Sequence, residues 1–324
     1  MKKRIISVLL VLIAVLGLLS GCGAEPAETT APAATTEAFV KEEPILENGD
    51  KIIFIGNSYT YYGNCVVQKD KHVLEQEKRV GDQGYFYQLC KANGLDIDVT
   101  DFTFGNHHLL EFKGACLGHG HDGHDHMEAL VDKKYDYVVL QEAHTITAAD
   151  PDIVEKCSWM MDIFRQANPD VKFLFLLPWR AYEQNYAWLP TLKNLEDLGV
   201  TVVNWGKLVY DMFTGAVTVP GAKYTYNKNS FIVNKSAADG YHPNMLTGYI
   251  TALMTYCAIT GESAVGQPYA FTTDYTVNPA FNTDIYILNH YCYGDGMETN
   301  FVKILQSAED MRGIQQLIDQ YMEK

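Results

Sequence analysis

The sequence predicts an α/β protein: three layers, α/β/α, around a mostly parallel sheet, with further helices at the C-terminal end. Three observations predict it. Short apolar runs rich in β-branched and aromatic residues recur along the chain, longer stretches of helical character lie between them, and Gly, Pro, Asn or Asp opens or closes each stretch. Strands that alternate with helices pair in parallel, and the crossover helices then cover both faces of the sheet.

The chain begins with Lys2-Lys3-Arg4, the apolar run Ile5 to Leu19, and then Leu19-Ser20-Gly21-Cys22. This is the pattern of a signal peptide over residues 1–21, and its end resembles the lipobox of bacterial lipoproteins, which implies that Cys22 is acylated and becomes the mature N-terminus. The run is short for a spanning helix, which weighs against an uncleaved anchor. In either case the expected location is extracytoplasmic, with a lipid anchor to the bacterial cell membrane as the favoured form. Residues 22–45 are rich in Ala, Thr, Glu and Pro and nearly free of large apolar side chains, so they predict a flexible tether.

A folded domain is expected over 46–324. Its strands are predicted at Lys51 to Ile55, Ile97 to Phe102, Tyr137 to Leu140, Lys172 to Leu177 and Val200 to Asn204. Helices are predicted around Gly84 to Ala92, Ile153 to Ala167, Tyr186 to Leu198 and Leu246 to Thr260. A helical extension from about residue 262 includes a last helix from about Asn300 to Met322. The 324 residues are 47% hydrophobic, enough to bury a large core. A formal net charge of −15 argues against nucleic acid as a partner, because an acidic surface repels phosphates. Beyond Cys22, Cys65, Cys90, Cys116, Cys157, Cys257 and Cys292 form no CxxC pair, and their spacing chooses no disulfide pairing.

In an open parallel sheet, ligands bind beyond the carboxyl ends of the strands, so a polar residue just after an apolar strand is a site candidate by position. Ser58, in "KIIFIGNSYT", is such a residue; as an isolated feature a serine there is more often a helix cap than a nucleophile. A serine hydroxyl needs a base, and the base needs a partner that fixes its tautomer. "ADGYHPN" offers both in Asp239 and His242, with Pro243 and Asn244 placed to open the next helix. An acidic turn beside a surface histidine is the competing reading of that segment.

Gly56-Asn57-Ser58, the isolated Gly105 after the second strand, and Asp239-x-x-His242 together resemble the SGNH, or GDSL-type, hydrolase superfamily across residues 51–260. The resemblance implies a flavodoxin-like sheet and a serine esterase in which Ser58 attacks an acyl carbon, His242 is the general base and acid, and Asp239 orients it. Two departures accompany it. Asn57 stands where the family usually has aspartate, at a side chain that shapes the turn. The third family block, usually Gly-x-Asn-Asp, is replaced by "VVLQEAHT", so Gln141 is the substitute amide donor. The implied oxyanion hole is then the backbone N–H groups of Ser58 and Gly105 with the Gln141 amide, and Asn106 is the competing donor.

Tyr59, His107, Trp179 and Tyr241 are candidate substrate contacts, since amphipathic rings suit sugar faces as well as a half-exposed rim. A surface-tethered esterase with such a rim fits removal of O-acetyl or other small acyl groups from a small molecule or polysaccharide, with no organic cofactor. The stretch "GHGHDGHDH" carries His119, His121, His124 and His126, ligands suited to zinc, nickel or copper. Its glycines make a flexible ligand set, which predicts a weak site holding adventitious zinc. Two alternatives stay open: a non-catalytic lipoprotein of the same fold that binds carbohydrate or peptide, and a zinc-binding lipoprotein that uses the histidine-rich loop.

Overall fold

Ile52, Ile53, Phe54 and Ile55 are all 0% exposed, because β1 (Lys51–Gly56) has strand neighbours on both sides and helices over both faces. The computed structural model describes residues 46–61, 63, 65–66, 84–103, 107–113, 133–142, 153–232, 242–269 and 307–322. Four further strands, β2 (Asp98–Thr103), β3 (Tyr137–Leu140), β4 (Lys172–Leu176) and β5 (Val200–Val203), complete a five-stranded sheet. Its order is β2-β1-β3-β4-β5, and every pairing within it is parallel.

Eight α-helices are described: α1 (Ser58–Tyr61), α2 (Tyr85–Ala92), α3 (Ile153–Ala167), α4 (Arg180–Glu183), α5 (Leu192–Glu196), α6 (Trp205–Thr214), α7 (Met245–Thr260) and α8 (Ala308–Met322). Alternate residues of the strands point to opposite faces, so each face has its own core. Ile52 and Phe54 pack with Val99, Tyr137, Leu174 and Val203 against α2, α6, α7 and α8. Ile53 and Ile55 pack with Phe102, Val138, Phe173 and Val200 against α3 and α5. The result is the three-layer α/β/α fold that the alternating sequence predicts.

The differences from the sequence reading are local. The helix expected over 186–198 is a 3₁₀ turn, Leu189–Thr191, followed by the five-residue α5. Pro190 sits in that first turn and has no N–H with which to continue a helix back toward Tyr186. Asn204, read as the last strand residue, instead caps α6: its side chain accepts from the Lys207 backbone N–H at 3.2 Å. The C-terminal helix is described from Ala308. Residues 1–45, which hold the predicted signal peptide, Cys22 and tether, lie outside the described residues.

Strand order fixes where a site can form. From β1 the chain crosses to one side to make β2 and then to the other to make β3, so the switch point lies between β1 and β3. Gln141 comes directly after β3, and Ser58 two residues after β1.

Candidate active site

β1 ends at Gly56, and Asn57 turns the chain into α1. The Asn57 side chain holds that turn from both ends: Oδ1 accepts from the Tyr59 backbone N–H at 3.1 Å, and Nδ2 donates to the His107 carbonyl at 3.1 Å. The second bond ties the residues after β1 to the segment after β2, and it is one an aspartate could not donate. Asn57 is 1% exposed, so both bonds satisfy groups that water does not reach.

Ser58, the first residue of α1, is 5% exposed. Its Oγ lies 2.8 Å from Nε2 of His242, a residue 184 positions further along the chain. With the ring neutral and its proton on Nδ1, Nε2 accepts the hydroxyl hydrogen. A serine hydroxyl within hydrogen-bond reach of a neutral imidazole nitrogen is the arrangement in which a base can take its proton.

His242 is fastened through its C-terminal neighbours. Pro243 pairs with Ile232 in an isolated antiparallel bridge. Asn244 caps α7 by accepting from the Thr247 N–H at 3.1 Å, donates through Nδ2 to the Ser230 carbonyl at 2.9 Å, and donates its backbone N–H to the Phe231 carbonyl at 3.0 Å. Thr247 Oγ1 adds a 2.6 Å bond to the same Phe231 carbonyl. The imidazole therefore hangs two residues ahead of the cap of a helix whose first turn is anchored at several points.

A backbone contact sets how near that helix comes to the serine. Gly63, at φ +72°, meets Gly248 on α7: a Cβ on Gly248 would lie 1.9 Å from the Gly63 carbonyl oxygen, and one on Gly63 would lie 2.3 Å from the Asn244 carbonyl oxygen. Any larger residue at either position would push α7, and His242 with it, away from α1.

Behind the pair stands an aromatic column. The Tyr59 ring is 6.1 Å from the His242 ring and 5.4 Å, edge-on, from Trp179, which is in turn 5.5 Å from Trp205. Tyr59, His107 and Trp179 are at most 1% exposed. Two of the three are therefore packing beside the histidine, and His107 supplies the carbonyl that Asn57 binds. None of them presents a ring face to solvent, unlike the rim the sequence suggested; their composition alone could not separate a buried stack from an open one.

Gln141 directly follows β3 and is 1% exposed. Its Oε1 accepts from the Thr60 hydroxyl, and its Nε2 is buried without a hydrogen-bond partner. Beside it, Glu142 gathers three groups: Oε1 is 3.1 Å from His108 Nδ1 and accepts from the Leu109 N–H at 3.2 Å, and Oε2 is 3.8 Å from Lys156 Nζ. These contacts brace the 107–109 segment against β3 and α3. Thr60, Glu142 and the Gly63–Gly248 contact were not legible in the sequence, since no spacing marks residues that act by meeting distant parts of the chain.

Cys65, the thiol nearest Ser58 in sequence, is free and fully buried; burial, with the Asp101 carboxylate nearby, pushes it well above the ordinary thiol range. It stays protonated and unreactive there. Cys90, Cys157 and Cys257 are likewise free and buried. Asp239, Gly105, Asn106, Tyr241 and the histidine-rich loop with His119, His121, His124 and His126 lie outside the described residues. Among the described residues no cluster of His, Cys, Asp and Glu could hold a metal ion.

No family model matches the sequence, and no curated protein is significantly similar to it. Similar solved structures exist. An Axe2 acetyl xylan esterase variant from Geobacillus stearothermophilus is 15% identical, with 70% of this chain and 100% of that one covered at a TM-score of 0.45. A DUF4886 family protein from Bacteroides uniformis is 14% identical, with 85% and 95% covered at 0.49. LAE5, an alpha/beta hydrolase enzyme from the metagenome of Lake Arreo, Spain, is 15% identical, with 67% and 98% covered at 0.45.

Proposed function

We propose that this chain is a serine esterase that removes small acyl groups, O-acetyl on carbohydrate foremost, and that it works outside the cytoplasm on a lipid anchor at Cys22. The observation that carries the reading is the 2.8 Å contact between Ser58 Oγ and His242 Nε2 beside the switch point of a parallel sheet. Ser58 is 5% exposed, and so confined a nucleophile suits a small acyl group better than a long one. The carbohydrate part rests on the surface location that the N-terminal sequence predicts.

In the reaction, His242 takes the Ser58 proton as Oγ attacks the acyl carbon. The oxyanion that forms is held by the backbone N–H groups of Ser58 and Gly105 and by the Gln141 amide. His242, steadied by Asp239, then gives its proton to the leaving alcohol, and a water activated by the same ring releases the acid and restores Ser58. No cofactor takes part, and zinc at the histidine-rich loop is incidental.

The test is hydrolysis of p-nitrophenyl acetate by the purified chain, beside Ser58→Ala, in the presence of a chelator. Activity that is lost only in the variant supports the proposal; equal rates in both remove Ser58 from it, and silence in both with no covalent labelling by a fluorophosphonate removes the esterase reading.

A further inference from the structure

Gly56, Thr60 and Gln141 converge on one point at the end of β1. The Gln141 backbone N–H donates to the Ile55 carbonyl at 2.9 Å, which carries the β1–β3 ladder one step beyond β3 and fixes the root of the Gln141 side chain beside Gly56. The space this takes is the space a side chain at Gly56 would fill. A Cβ there would lie 2.9 Å from Gln141 Cβ and 3.1 Å from Thr60 Oγ1. Gly56 is therefore bare so that the glutamine stem and the threonine hydroxyl can meet across it.

A glutamine amide can turn end for end, and in one orientation it would show an oxygen to whatever shares its pocket. Here Oε1 receives the Thr60 hydroxyl hydrogen, in a bond between two residues that are each 1% exposed. That leaves Nε2 as the free end, buried and with no partner. An orphaned buried donor is unfavourable in the resting protein and suits an acceptor that arrives with substrate. The glutamine is one methylene longer than the asparagine usual in proteins of this resemblance, so it has one more torsion to be fixed.

We propose that Thr60 is a positioning residue: it clamps Gln141 Oε1 so that the Nε2 donor faces the acyl oxygen, with Gly56 giving the clamp its room. This rests on the esterase reading above and on Gln141 as an oxyanion donor. Thr60 itself touches no substrate; its effect passes through the amide, and donors preorganised in this way act on the transition state rather than on binding.

The experiment is a double-mutant cycle on p-nitrophenyl acetate hydrolysis, with Thr60→Val, Thr60→Ser, Gln141→Ala and Thr60→Val/Gln141→Ala compared with wild type and Ser58→Ala. Gln141→Ala is expected to lower kcat by roughly 10²-fold to 10³-fold. Thr60→Val, which keeps the shape and removes the hydroxyl, is expected to lower kcat about 10-fold with KM nearly unchanged, and to add nothing once Gln141 is alanine. Thr60→Ser restores the donor and is expected to restore the rate, which a packing role for the lost methyl would not do. Should Thr60→Val not fold by circular dichroism, Thr60→Ala takes its place in the cycle.

Multiplicative losses in the double variant, a Thr60→Ser rate as low as that of Thr60→Val, or an unchanged Thr60→Val rate would each overturn the proposal. The Ser58→Ala control separates the two levels. If it is silent while the cycle is multiplicative, the esterase reading stands and the Thr60 role falls; if it matches wild type, the esterase reading falls and the Thr60 role with it.

Discussion

β1 and β4 both run out at the carboxyl edge of the sheet, and each is followed within four residues by a four-residue helix, Ser58–Tyr61 in one case and Arg180–Glu183 in the other. After β1 the polar groups are buried and each is committed to a distant segment: Asn57 to His107, Ser58 to His242, Thr60 to Gln141. After β4 the polar groups pair on a partly exposed surface. Arg180 Nη1 donates to Glu183 at 2.9 Å, and Lys228 pairs with the other oxygen of the same carboxylate. The two ends share their backbone plan. Remote residues reach both ends, His242 at one and Lys228 at the other, so burial is what separates them: Asn57, Ser58 and Thr60 are at most 5% exposed, whereas Arg180 and Glu183 stay partly exposed.

The most drastic way to break the comparison is to take away what reaches β1. Ser58→Ala or His242→Ala should lower kcat/KM for p-nitrophenyl acetate by at least about 10³-fold while leaving the thermal midpoint close to wild type. Gly248→Ala should come next. Its new methyl would meet the Gly63 backbone, and the expected cost is about 1–3 kcal/mol in urea unfolding together with a fall in kcat as the imidazole is displaced.

Asn57→Asp sharpens the contrast between a committed turn and a solvated one. The carboxylate keeps the bond from the Tyr59 N–H but turns an oxygen toward the His107 carbonyl, so a loss of about 1–3 kcal/mol is expected in the same measurement. At the other strand end, Glu183→Ala should cost no more than about 1 kcal/mol and leave kcat within error, because its ion pairs are solvated.

The least visible difference concerns pH. Burial first, and the Asp211 carboxylate after it, raise the phenol of Tyr182, on α4, above its ordinary 10.0, with the Asn204 amide working the other way. A folded value above the unfolded one means that the stability is fully present below about pH 10 and is lost as pH rises through the folded value, because the unfolded phenol ionises first. Tyr182→Phe takes away the acceptor of the Asn204 amide, so it should cost about 0.5–1.5 kcal/mol at neutral pH, yet lose less further stability than wild type as pH rises past about 10, as read by circular dichroism beside the tyrosinate absorbance.

The sheet was legible almost strand by strand, because a strand buried on both faces must be a short apolar run and its boundaries fall where the run meets Gly, Pro or Asn. Helix α6 was not: Asn204 serves equally as the end of a strand and as a helix cap, and only the Lys207 N–H on its side chain decides the matter. The candidate site was legible where one residue stands out by its position. Ser58 stands out by its position after β1, and His242 by its place before a helix-opening Pro-Asn. The pairings stay hidden in the sequence. Thr60 is an ordinary threonine until Gln141 is beside it, and Gly63 and Gly248 are ordinary glycines until their backbones touch. Trp179 misleads in the opposite sense, since an aromatic after a strand reads the same whether it faces a ligand or a tyrosine.

The Ser58–His242 contact also has a kinetic side. Its two halves are 184 residues apart in the chain, so the pair proposed as catalytic is a strongly non-local contact that needs a long loop to close. The contacts of β1 with β2 and of β1 with α1 are local by comparison and do not involve His242. On the proposed function, competence requires α7 to be seated on Gly63. During refolding, the proposed ester hydrolysis is then expected to recover after the sheet and helix signals, so that turnover would report the docking of α7 and equal recovery times would remove this dependence.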